Sequence, residues 1–94
     1  MKLTFIDTPS HGYLKIHKNY FVTCGFDVKL ISKYSGQDKN HVYLEEDCDA
    51  STFIKWEESR GEIVELEYVH RERNNVPSHN YDPNTVNPNN HMWL

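Results

Sequence analysis

The sequence predicts an α+β domain: a mostly antiparallel sheet of about five strands, one main helix on one face, and a short second helix. Three observations lead there. Several short stretches alternate apolar and polar residues with period two, as half-buried strands do. One stretch, residues 44–61 (LEEDCDASTFIKWEESRG), carries a strand end, an acidic turn, apolar bulk at helical spacing and a glycine stop. The first two strand-like stretches are joined by a short polar turn, which favours antiparallel neighbours.

Residues 2–6 (KLTFI) alternate and put Leu3 and Phe5 on one face. Asp7-Thr8-Pro9-Ser10 is a turn, because proline fixes one backbone dihedral while Asp and Ser bond nearby backbone. Gly12–His17 alternates again, with Leu14 and Ile16 opposed to Tyr13, Lys15 and His17, so a first hairpin is expected. Over Lys18–Cys24 the β-branched and aromatic content favours strand. Asn19 as a cap and Gly25 as a stop favour a short helix, and the helix is the expectation. Residues 28–34 (VKLISKY) predict a strand with Val28, Leu30, Ser32 and Tyr34 on one face. Across a polar loop at 35–40 it pairs in a second hairpin with His41–Glu45.

The centre of the fold is the strand–helix–strand unit built on 44–61. Asp47 and Asp49 are good N-cap types, since a short carboxylate accepts from the free N–H groups of a first turn. Their charge suits the positive end of the helix dipole. Ala50, Phe53, Ile54 and Trp56 then gather on one side, and Gly61 stands where a left-handed residue ends a helix. Residues 63–70 (IVELEYVH) predict a last strand, with Val64, Leu66 and Tyr68 facing the core.

From residue 71 the composition turns to Asn and Pro without periodicity, which cannot make its own core. The division expected is therefore a domain over 1–70 and a tail or docking arm over 71–94, with Tyr81 and Trp93 as its anchors.

Lys plus Arg is 10 and Asp plus Glu is 14, a formal charge of -4, which argues against a protein that reads nucleic acid directly. No apolar run is long enough for a membrane span. The first residues lack the apolar region of a signal peptide, and two cysteines are too few for a disulfide framework, so a cytoplasmic protein with reduced, core-filling Cys24 and Cys48 is expected. Chains of this size are marginal alone, which makes a homodimer an expectation.

The strings SHGYLKI (10–16) and YLEEDCDASTFI (43–54) give the chain a resemblance to a group of small proteins encoded by bacterial phages and plasmids. The resemblance covers roughly residues 1–70 and leaves the tail out. It implies an accessory gene of a mobile element, many of which encode inhibitors of host defence or regulators of host enzymes. It points to no particular activity.

Four sets of residues are candidates for chemistry. Asp7, His11, His17, His41, Asp47, Cys48 and Asp49 are ligand types, yet no pair has a recognised metal spacing, so no metal and no cofactor are expected. Cys48 at a helix start would be a favoured thiolate, but Asp47 and Asp49 flank it and oppose activation. The acidic run Glu45, Glu46 and Asp47, with Asp49, could mimic phosphates and steer the chain to a basic partner; capping and a solvated turn explain it more simply. The turn at His11 and Gly12, with Tyr13 and Lys15, could present backbone N–H groups to an anion; its simpler reading is a hairpin turn using glycine's freedom.

The function expected first is stoichiometric binding to a host bacterial protein, such as a defence or nucleic-acid-processing complex, rather than catalysis. The alternatives are a sponge for a nucleotide signal, using the His11–Gly12 turn and a stacking platform of Tyr13, Tyr34, Tyr43 and Tyr68, and a small enzyme using Cys48 or His11.

Overall fold

The computed structural model describes residues 1–86. Five strands form one mixed, mostly antiparallel sheet in the order β3-β4-β2-β1-β5. They are β1 (Lys2–Asp7), β2 (Gly12–His17), β3 (Gly36–Gln37), β4 (His41–Glu45) and β5 (Glu65–His70). A short helix α1 (Lys18–Cys24) follows β2, and the main helix α2 (Ser51–Ser59) follows β4 through a wide π-helical turn, Glu46–Ala50. The α+β class, the main helix and the short second helix are as the sequence predicts.

β1 and β2 form the expected hairpin, with Phe5 opposite Leu14 and Ile6 opposite Tyr13. β4 runs antiparallel to β2, with Tyr13 opposite Glu45 and Leu14 opposite Leu44. The period-two alternation of these strands sorts side chains between two faces. Leu14, Ile16, Val42 and Leu44 face α2, where they meet Phe21, Phe26, Val28, Ala50 and Phe53 in the main core. Its centre is aromatic: Phe26 and Phe53 meet edge-to-face at 5.2 Å and Phe21 and Phe53 at 5.5 Å. Such pairs add about 0.5–1.5 kcal/mol each to the area they bury.

Both helices end at glycine as expected, Gly25 at φ 90° and Gly61 at φ 88°. After α2 the Gly61 N–H reaches Glu58 O and the Glu62 N–H reaches Glu57 O, the paired closing bonds of a left-handed C-terminal turn. The N-termini differ from expectation. His17, not Asn19, caps α1, its Nδ1 accepting from Asn19 N–H at 3.1 Å. Glu45, not Asp47 or Asp49, caps the turn before α2, accepting from Asp47 N–H at 2.8 Å.

Two expected strands are corrected. Residues 28–34 form no strand: a 3-10 turn spans Val28–Leu30, capped by Asp27, whose carboxylate accepts from Lys29 N–H. Val28 and Ile31 are buried while Leu30 and Tyr34 are exposed, a spacing of three where the strand needed two. Pairing with β4 is left to the two-residue β3. In the last stretch the strand forms, but parallel to β1 at the sheet edge. Leu66 packs part-buried against the main core as expected, while Tyr68, further along this edge strand, is 68% exposed instead of facing the core.

The segment after β5 lies across the domain. Val76 is buried on the face opposite α2 with Ile6, Tyr13 and Tyr43. Tyr81 and Val86 pack against the main core on the helix side. Tyr81 Oη donates to Val28 O at 2.8 Å, and burial pushes its phenol up from the usual range. Trp93, the other expected anchor, lies outside the described residues.

Candidate binding pocket

Glu45 ends β4 directly opposite Tyr13 of β2, so the two side chains share the face away from α2. His11 stands two residues before Tyr13, and its ring meets that of Tyr13 at 6.3 Å. The wide turn after β4 adds Asp47 and Cys48. Tyr34 comes from the loop before β3, and His79 from the arm, with their rings edge-to-face at 5.7 Å. Together these seven side chains line a pocket of about 410 Å³.

The pocket is held from behind. Asp49 turns inward and is 4% exposed. Its Oδ2 accepts from Ser32 N–H at 3.0 Å, from Ser32 Oγ at 2.7 Å and from the Ser35 hydroxyl. Ser35 Oγ in turn accepts from Glu45 N–H at 3.0 Å. This network ties the Tyr34 loop to the acidic turn. His79 takes a left-handed backbone conformation at φ 60°, one that histidine tolerates better than most side chains.

The two sets predicted separately from sequence thus meet. His11 and Tyr13 join Glu45 and Asp47 around one cavity. Glu46 joins them without lining it: its Oε1 accepts from Gly12 N–H at 3.1 Å. Two members do not take part. Asp49 is buried and spent on Ser32 and Ser35, so it is a structural carboxylate and not part of an acidic surface. Lys15 lies further along β2, opposite Tyr43, and does not line the cavity.

The turn also lacks the free donors expected of it. His11 N–H donates to Thr8 Oγ1 at 3.1 Å and Gly12 N–H to Glu46, so neither is open to an anion. A cation meets better chemistry here: two carboxylates, Glu45 and Asp47, and the rings of Tyr13 and Tyr34. Carboxylates pair with guanidinium or ammonium, and aromatic faces attract the same groups.

Sequence reasoning missed His79 and misplaced Tyr34. Tyr34 was assigned to a strand that does not form, and His79 sits in a segment whose composition carries no periodic signal. Cys48, expected in the core, is exposed at the pocket; Cys24 is partly buried, and burial pushes its thiol up from the usual range. Among the described residues no group of three His, Cys, Asp or Glu side chains is placed to hold a metal ion. No described helix is long and apolar enough to cross a membrane.

No protein-family model matches the chain, nor does any curated protein or solved structure.

Proposed function

We propose that the chain acts by stoichiometric binding to a basic protein surface of a bacterial host, taking an arginine or lysine side chain into the pocket between Tyr13, Tyr34, Glu45 and Asp47. The observation that carries this reading is the meeting of carboxylates and aromatic rings around one cavity. Electrostatic attraction steers a basic partner to such a rim, and a desolvated ring–cation contact adds about 2 kcal/mol. The resemblance to phage- and plasmid-encoded proteins supports a host target, a defence or nucleic-acid-processing complex whose basic channel the chain would obstruct. The nucleotide-sponge alternative is weakened by the same geometry, because phosphates would face Glu45 and Asp47 while the His11 and Gly12 N–H groups are already used.

The test compares tagged full-length chain with a Tyr34→Ala/Asp47→Asn variant as bait in a bacterial lysate, alongside titration of both with acetyl-arginine amide followed by NMR. Tyr34 and Asp47 are exposed, so the variant keeps the fold. A host protein held in stoichiometric amount by the wild type and lost from the variant, with arginine-amide shifts confined to the pocket, supports the reading. Equal capture by both baits, or no shift at the pocket, overturns it.

A further inference from the structure

The two edges of the sheet are treated differently. At the β3 edge the arm completes the pairing with a side chain. Asn80 Oδ1 accepts from Gln37 N–H at 2.9 Å, and Asn80 Nδ2 donates to Gln37 O at 3.2 Å. Asp82 N–H then reaches Gln37 Oε1 at 3.1 Å. The β5 edge has no such cover among the described residues. The chain leaves β5 at His70 and carries Val76 onto the face opposite α2.

The direction of the open groups on β5 follows from its pairing. Glu65 N–H donates to Met1 O and Arg71 N–H to Asp7 O, both at 2.8 Å. Odd-numbered residues therefore point their backbone groups at β1. By strand alternation the backbone groups of Leu66, Tyr68 and His70 point out at the open edge. These outward groups match an antiparallel strand, in which opposed residues exchange both bonds.

We infer that β5 is a self-association edge, pairing antiparallel with β5 of a second copy about a two-fold axis at Tyr68. Only registers that keep α2 of both copies on one side of the joined sheet are geometrically consistent with that axis, so opposed residues share parity. Placing outward groups opposite outward groups sets Tyr68 against Tyr68 and Leu66 against His70. The same register sets Glu65 against Arg71, whose guanidinium also donates to Asn75 Oδ1 at 3.5 Å, twice by symmetry, so opposite charges meet across the joint. Tyr68 is 68% exposed and lies 5.5 Å from Phe5, so the joint extends an aromatic row across both sheets. Val69, 38% exposed, falls opposite Glu67, whose charge is already paired with Lys2 at 3.5 Å. The inference is independent of the pocket, which lies at the other side of the sheet order.

Sedimentation of the full chain over a concentration series tests it, with hydrogen exchange on the same samples. The expected result is a monomer–dimer equilibrium in which the amides of Leu66, Tyr68 and His70 gain protection as concentration rises. Glu65→Arg and Arg71→Glu each weaken the dimer about tenfold by placing like charges opposite, and the double exchange restores it. The flanking non-hydrogen-bonded pair would bring the Cα atoms of opposed Glu67 and Val69 to about 4.5 Å, within disulfide reach, so Glu67→Cys/Val69→Cys in a Cys48→Ser background cross-links on mild oxidation. A chain that stays monomeric at all concentrations overturns the inference. So does a dimer that ignores both charge reversals, that the double exchange fails to restore, or that Glu67→Cys/Val69→Cys fails to cross-link.

Discussion

Asp49 accepts two hydrogen bonds from Ser32, at 3.0 Å from the backbone N–H and 2.7 Å from the hydroxyl, across 17 residues of chain. The loop carrying Tyr34 is therefore set by a carboxylate in the turn that carries Asp47. Asp49→Ala would leave the Ser32 N–H and the Ser32 and Ser35 hydroxyls without their acceptor. Hydrogen bonds to a charged group contribute about 1.5–3 kcal/mol each, and orphaned donors add their own cost, so a loss of about 3 kcal/mol is expected. The shift of the urea midpoint measures it. Binding at the pocket should fall too, because Tyr34 loses its support. A midpoint within experimental error of wild type would mean that the network is not what holds the loop.

Gly36 is the place where the arm crosses the sheet. A Cβ there would lie 2.1 Å from Pro77 O and 2.4 Å from Pro77 C, backbone atoms with no flexible end to move. Gly36→Ala is therefore expected to lift the arm off β3, breaking the Asn80–Gln37 pairing and exposing Val76. Burial of one valine is worth about 1.5–3 kcal/mol, which sets the scale of destabilisation. Limited proteolysis is the direct readout: cleavage within 71–86 should become fast while 1–70 survives. Unchanged protection of the arm would count against this path of the chain.

Glu57 is wholly buried in α2, and the Tyr20 hydroxyl donates to its Oε2. Its Oε1 lies 3.2 Å from Arg60 Nη2 but without hydrogen-bonding geometry. Arg60 is held in turn over the Trp56 ring, 4.3 Å from its centroid, and by Cys24 O at 2.9 Å. Tyr20→Phe would remove the carboxylate's one well-formed bond and is expected to cost about 1–3 kcal/mol. Replacing Glu57 and Tyr20 together by Leu and Phe should cost much less than Tyr20→Phe alone, since no buried carboxylate is then left without a hydrogen bond. A double-mutant cycle by denaturant unfolding decides it, and additive effects would refute the coupling.

Much of the fold was legible because alternation and capping are local. Leu14, Ile16, Val42 and Leu44 announce their face in the sequence, as Gly25 and Gly61 announce the helix ends. Errors arose where a distant partner decides. Residues 28–34 alternate like a strand, but Asp49, reached only in the fold, takes Ser32 and Ser35 and leaves Val28 and Ile31 to bury at a spacing of three. Tyr68 belongs to a regular strand, yet its exposure depends on where that strand joins the sheet. The pocket was half legible: Glu45 and Asp47 are conspicuous as charge, and His11 and Tyr13 as a turn. Nothing local tells that β2 and β4 are neighbours with Tyr13 opposite Glu45.

Asp38 and Tyr43 form a pair whose pH dependence runs in both directions. Burial raises the Asp38 carboxyl, but this is outweighed by hydrogen bonds from Tyr43 Oη and from the N–H groups of His41 and Asn40, which together hold it down at about 2. A depressed carboxyl contributes stability above its unfolded value of about 3.9, lost as pH falls through the folded value. Tyr43 is pushed up to about 12 by burial and by donating to Asp38. A raised phenol contributes stability fully below its unfolded value of about 10, lost as pH rises through the folded value. Asp38→Asn should therefore flatten the stability profile between about pH 4 and 2, and Tyr43→Phe should flatten it above about pH 10 as well. Chemical denaturation across pH, with the carboxyl of Asp38 followed by NMR, measures both limbs. A carboxyl titrating near 4 in the folded chain would show that Tyr43 does not hold it.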